Sequence, residues 1–191
     1  MKNFVLTVVF TAIILSLNSC VSFSRKMIQD DLLELKDENV QMINGQYGYK
    51  GYEHIRNGNV KSDKTRNVGE MLDVKSEAVK NVDKLIIKSM PLAKSKMYEI
   101  QFMLLKEDTL KYTFTYKARL KNGLFLLKNF TSHCDEIPYL FGGCRIFQSR
   151  IGLTKDHNLL IQDYYDNSGA FLFFFWAGYT INYAEKYKRI H

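Results

Sequence analysis

The sequence predicts an all-β domain: a mainly antiparallel meander that closes into a small barrel or curls into a half-barrel, with a short helix at its N-terminal side. Three observations carry this. From Lys111 to Leu120, the residues Tyr112, Phe114, Tyr116, Ala118 and Leu120 alternate with Lys, Thr and Arg, an unbroken period of two with one side buried and one wet. Asn122-Gly123 follows, the dipeptide that tolerates positive φ in a two-residue hairpin turn. Similar alternating runs recur along the chain between tight turns, and about six to nine such strands in one domain close or curl upon themselves.

The chain of 191 residues is 46% apolar and 25% charged with two prolines, which excludes a disordered tail, a collagen-like repeat and a coiled coil. Its apolar content is front-loaded. Lys2 gives a positive start, Phe4 to Leu17 is almost wholly apolar, and Leu17-Asn18-Ser19-Cys20 follows directly. This is the layout of a secretory signal, and the stretch is shorter than the roughly 20 residues a membrane-spanning helix needs. The expected organisation is a signal over 1–19, a tether over 20–24 and a single β-rich domain over 25–191.

Arg25 to Val40 places Met27, Ile28, Leu32, Leu35 and Val40 near helical spacing behind a capping Ser24, and predicts a short amphipathic helix. Its acidic residues, among them Asp30, Asp31 and Glu34, favour packing on the domain over lying on anionic lipid. An extended segment opens at Gly45-Gln46-Tyr47; residues 51–69, rich in Gly, Asn, Lys and Asp, read as loop; Val68 to Val79 is ambiguous between helix and strand; Leu85 to Lys88 is a short strand. Tyr98, Ile100, Phe102 and Leu104 alternate before a turn at Lys106-Glu107-Asp108-Thr109. The partner of the central strand is Leu124 to Phe130. Arg145 to Leu153, a turn at Lys155-Asp156-His157-Asn158 and Leu159 to Tyr165 form the next hairpin, and an aromatic strand around Tyr183 and Tyr187 ends the series. Ala170 to Ala177 is the most apolar run after the signal; it reads as core strand or buried turn, or else as a surface that touches a ligand or acyl chains.

The net charge of +7, one less without Lys2, is scattered and interleaved with Asp and Glu, which argues for a solvated surface and against nucleic acid as a partner. Beyond Cys20 two cysteines remain, Cys134 and Cys144, separated by Pro138 and Gly142-Gly143 that can bend the chain back. An oxidising compartment favours their pairing as a disulfide. Two sharper readings compete for them: zinc held by His133, Cys134, Asp135, Glu136 and Cys144, and a nucleophilic Cys134 beside His133 or His157. No Cys-x-x-Cys or His-x-x-x-His spacing supports the first and no signature the second. There is likewise no phosphate loop, nucleophile elbow or His-Glu-x-x-His, so neither catalytic residues, nor a metal, nor a cofactor are expected.

Leu17-Asn18-Ser19-Cys20 resembles the lipobox of bacterial lipoproteins. The resemblance implies that Cys20 takes a diacylglycerol as a thioether and becomes the first residue of the mature protein. Nothing after it resembles an inner-membrane retention or surface-export signal, so the implied location is the periplasmic face of the outer membrane. Together with Ile43 to Tyr47, the central hairpin, Arg150 to Leu153, Gly169 to Phe173 and Glu185 to Arg189, the chain is similar to small uncharacterised lipoproteins of Gram-negative bacteria. The Gly45-x-Tyr47 opening and the basic end also resemble lipocalin-like barrels, in which a Gly-x-Trp and a late Arg pack across the closed end; this implies an interior cavity for a small apolar ligand. Asp108-Thr109-Leu110 resembles a short O-glycosylation signal at Thr109, against the plainer reading as turn residues. The expected function is a lipid-anchored envelope protein that binds a small apolar molecule or lipid. The alternative is a structural lipoprotein that docks on another envelope protein without a small ligand.

Overall fold

A computed structural model describes residues 23–56, 59–61, 64–137, 141–171 and 175–190; no side chain is described within 59–61, 135–137, 141–142, 170–171 and 175–177. The described strands are β1 (Leu32–Leu33), β2 (Gly45–Gly48), β3 (Glu53–Arg56), β4 (Asn59–Lys61), β5 (Lys84–Pro91), β6 (Met97–Lys106), β7 (Thr109–Lys121), β8 (Leu124–Leu127), β9 (Thr131–Ile137), β10 (Phe141–Thr154), β11 (Leu159–Phe171) and β12 (Phe175–Tyr187). They form one antiparallel sheet in the order β2-β5-β6-β7-β8-β10-β11-β12-β3-β4, with β1 and β9 also paired to β10. The sheet curls into a half-barrel.

The meander from β5 to β8 follows the alternation in the sequence. Along β6 the buried positions are Tyr98, Ile100, Phe102 and Leu104, joined by Leu105 where the register with β7 shifts, and along β7 every Lys, Thr and Arg between the apolar residues is exposed. Asn122 and Gly123 both take positive φ, 53° and 79°, as the tight turn between β7 and β8 requires. A carbon on Gly123 would also lie 3.0 Å from the Glu34 backbone, so this turn seats the N-terminal segment as well.

At one end the curled sheet meets itself. Gly48 N–H donates to the Lys188 carbonyl at 2.8 Å and Ile190 N–H donates to the Gln46 carbonyl at 2.7 Å, so residues 188–190 pair with β2. Arg189 fastens this seam. Its guanidinium lies 5.0 Å from the Tyr47 ring, donates to the Tyr47 hydroxyl at 2.7 Å, and donates to the carbonyls of His157, Asn44 and Met42. Tyr47 donates in turn to the Ile43 carbonyl at 2.7 Å. Burial pushes the Tyr47 hydroxyl up to about 12, against the pull of the Arg189 charge. Inside this end sits the main core, with Leu85, Ile87, Ile100, Phe102, Phe125, Ile151, Leu159 and Tyr187 fully enclosed; each such side chain contributes roughly 1.5–3 kcal/mol by leaving water.

The short N-terminal helix expected from Arg25 to Val40 does not form. The segment is a single 3-10 turn at Arg25–Met27, strand β1, and a second 3-10 turn at Val40–Ile43. Long-range backbone bonds displace the helical ones: Leu32 and Leu33 pair with Thr154 and Leu153, Lys155 N–H donates to the Asp31 carbonyl, and Leu35 N–H donates to the Gly123 carbonyl. The apolar spacing that suggested a helix is used differently, since Ile28 and Leu32 cover Leu124, Leu160, Ile55 and Ala184 on the outer face of the sheet in a second small core. Residues 51–69 hold more order than a loop. They contain the hairpin β3–β4 and lead into the single helical turn α1 (Val68–Met71), where Asn67 and Glu70 form a reciprocal capping box. The ambiguous Val68 to Val79 resolves into α1 and the start of a 3-10 turn over Glu77–Asn81.

Candidate functional site

The registers of β10, β11 and β12 arrange their inward side chains in rungs. From the closed end outward these are Leu153, Leu159 and Tyr187; then Ile151, Ile161 and Glu185; then Ser149, Asp163 and Tyr183; then Phe147, Tyr165 and Ile181. The interior therefore passes from apolar to charged to aromatic as it approaches the open end.

The charged rungs are buried. Glu185 is 0% exposed; its Oε1 lies 2.5 Å from Nδ1 of His54, which sits opposite on β3, and accepts from Arg66 N–H at 3.1 Å. Its Oε2 has no partner, and a carbon on Gly51 would come within 2.7 Å of it. Asp163 is 2% exposed and its Oδ1 is also unpartnered. Burial raises the Asp163 carboxyl well above its ordinary range, although a hydrogen bond with Ser149 acts in the opposite sense. Ser149 is fixed in turn by Asn129, whose Nδ2 donates to Ser149 Oγ at 2.9 Å and whose Oδ1 accepts from Ser149 N–H at 3.0 Å. Glu185 is raised by burial too, with His54 and Arg66 opposing, and the Tyr187 hydroxyl is enclosed without a partner.

Above these rungs opens a cleft of about 490 Å³. One wall is the segment around α1, which contributes Arg66 and Glu70; the other is the sheet, with Phe147, Asp163, Tyr165 and Tyr183. The Arg66 guanidinium lies 4.1 Å from the Tyr183 ring and orders that corner. His133 and Arg145, which are paired across β9 and β10, reach the rim and are engaged with neighbouring groups. The arrangement presents flat apolar ring faces beside cations and a buried carboxyl held toward its neutral form. A neutral carboxyl can donate as well as accept a hydrogen bond.

Cys134 and Cys144 stand directly opposite each other on β9 and β10, 4.0 Å apart at Cα, and are joined as a disulfide. Both sulfurs are thereby consumed, so the zinc set and the nucleophilic Cys134 have no free thiolate; among the described residues no group of three His, Cys, Asp or Glu converges as a metal site. Tyr112, Phe114 and Tyr116, the apolar side of the alternating strand, are half-buried and packed on the main core. Phe114 stacks on Phe102 at 4.9 Å with the planes 2° apart and meets Tyr116 edge-on. Thr109 is exposed, directly after the turn residues Glu107 and Asp108 with φ of 49° and 61°. Cys20 and the signal lie outside the described residues, as do the side chains of the apolar run 170–177.

Asp163, Glu185, His54 and Arg66 were not singled out by their sequence context. The available signal was phase: Asp163 and Glu185 fall on the inward parity of strands whose neighbours on that parity are Ile161, Leu159 and Tyr187. Compared with protein-family models, with curated proteins and with solved structures, the chain matches none, so its own residues carry the functional reading.

Proposed function

We propose that the protein is a lipid-anchored envelope protein, attached through Cys20 at the periplasmic face of the outer membrane, that binds a small amphiphilic molecule in the cleft at the open end of the half-barrel. The observation that carries this reading is the composition of the cleft: ring faces of Tyr165, Tyr183 and Phe147 for an apolar part, beside Arg66 and the buried Asp163 for a polar one. A wholly apolar ligand would leave Asp163 Oδ1 without a hydrogen-bond partner, whereas a hydroxyl or carbonyl group supplies one. The Tyr47–Arg189 seam supports a lipocalin-like account of the closed end. Binding is favoured over catalysis because the one hydroxyl described beside the cleft carboxyl, that of Ser149, is wholly buried.

Native mass spectrometry of the protein extracted from its own envelope tests the proposal. A small co-purifying molecule that is lost in Tyr165→Ala and Tyr183→Ala is expected; a stable protein partner with no small ligand would favour the docking alternative and sink this one. The anchor is tested separately by incorporation of labelled palmitate, which Cys20→Ala abolishes.

A further inference from the structure

On the opposite face of the sheet, Arg150 is 9% exposed and, among the described residues, is paired with no acidic side chain. Its Nε donates to Gln162 Oε1 at 2.7 Å, its Nη2 has no acceptor, and the Phe23 ring lies 4.6 Å from its central carbon. Burial lowers its affinity for the proton to about 10, and the one charge that adds to this is another cation, Arg25. A buried guanidinium without a counter-charge loses hydration that one hydrogen bond and one ring contact return only in part. Beside it opens a pocket of about 240 Å³ whose polar lining is Arg150, Lys121, Asn122 and Gln148, with Phe23 and Leu126 at its edge; no carboxylate stands among the described lining residues.

The N-terminal segment brings this pocket to a defined place. Ser24 N–H donates to Asn182 Oδ1 at 2.8 Å, Ser24 carbonyl accepts from Gln162 Nε2 at 2.9 Å, and Phe23 packs on Tyr164 at 5.9 Å. The expected tether is thus seated on the sheet from Phe23 onward, and Cys20 is three residues away, at most about 11 Å of extended chain.

We infer that Arg150 and Lys121 form a binding site for a phosphate-bearing group, whose negative charge supplies the partner the guanidinium lacks. Two cations and two amides match the acceptor oxygens of a phosphate. The proximity of Cys20 makes the headgroup of an anionic phospholipid in the anchoring membrane the favoured source; that choice rests on the proposed anchor, while the site itself does not.

The test measures binding of two probes to the purified chain: glycerol 3-phosphate by calorimetric titration, and vesicles of phosphatidylglycerol against phosphatidylcholine by co-sedimentation. Saturable binding that falls tenfold or more in Arg150→Gln and in Lys121→Gln, and is unchanged in Lys88→Gln on β5, is expected. Dependence seen only with phosphatidylglycerol vesicles assigns the site to lipid, and dependence seen also with the free ester assigns it to a soluble phosphate; both uphold the site. Equal binding by all variants, or no saturable binding of either probe, overturns it. Lys121 is exposed on a turn flank, so its variant remains informative if Arg150→Gln fails to fold. Because none of these readouts requires acylation, failure of the anchor at Cys20 would leave the result for the site intact.

Discussion

Replacing Arg189 by Ala is expected to open the seam that closes the half-barrel. The guanidinium donates to three backbone carbonyls and to the Tyr47 hydroxyl, at distances that include 3.0 Å to His157, 3.3 Å to Asn44 and 2.7 Å to Tyr47, and it lies against the Tyr47 ring. Taking about 1 kcal/mol for each of the better hydrogen bonds and about 0.5 kcal/mol for the cation–ring contact, and allowing water to replace part of the loss at this half-buried site, the variant is destabilised by about 2–3 kcal/mol. With a urea slope of about 2 kcal/mol per molar, the unfolding midpoint falls by about 1–1.5 M. Arg189→Lys keeps the charge but not the planar fork, and falls between the two. A midpoint for Arg189→Ala within about 0.3 M of the parent would refute the reasoning, because the seam would then be held by the backbone pairs of residues 46, 48, 188 and 190 alone.

Four further outcomes follow from the same geometry. Cys134→Ser with Cys144→Ser removes a cross-link spanning 10 residues and lowers the unfolding free energy by about 2–3 kcal/mol in urea titrations; an unchanged midpoint would deny the disulfide a stabilising role. Asp163 has a folded pKa raised above its unfolded value, so its contribution is fully present below the unfolded value and is lost as pH rises through the folded one. Asp163→Asn should therefore be more stable than the parent at pH 8, with the difference vanishing near pH 4; a pH-independent difference between the two melting temperatures would contradict this. Gly123→Ala forces a side chain into φ of 79° and against Glu34, with an expected cost of about 1–2 kcal/mol in urea unfolding. Should Tyr165→Ala and Tyr183→Ala both retain a co-purifying ligand at the parent level, the ligand lies outside the cleft.

The part of the fold legible in the sequence is the part stabilised by local pattern. The hairpin of β7 and β8 is marked by side-chain alternation and by Asn122-Gly123, and both are properties of adjacent residues. The β3–β4 hairpin went unread because its strands are short and polar, and because its pairing depends on β12, more than a hundred residues away. The N-terminal segment misled for a related reason: Ile28, Leu32 and Leu35 have helical spacing, yet Leu32 and Leu33 gain more by pairing with β10 than an acidic segment gains from its own turns. At the candidate site, the pairing of Cys134 with Cys144 was legible from their count and from the bend-prone Pro138 and Gly142-Gly143 between them. Asp163 and Glu185 were less so, since a carboxylate in a strand is ordinarily read as its wet side, and their shared phase with Leu159, Ile161 and Tyr187 is the one signal in the sequence that they face inward.

The seam at Arg189 also bears on the order in which the molecule is made. Its contact with Tyr47 joins residues 142 positions apart, and its contact with Met42 joins residues 147 apart. Such pairings form only after the intervening chain has been brought together, so closure belongs to the late, slow stage of folding, in a regime of milliseconds to seconds for sheets of this kind. Until then β2 is an unpaired edge able to recruit a strand from another chain. A protein with this topology is most exposed to misassembly just before it closes, and any factor that shields the β2 edge during that interval would raise its yield without touching its final stability.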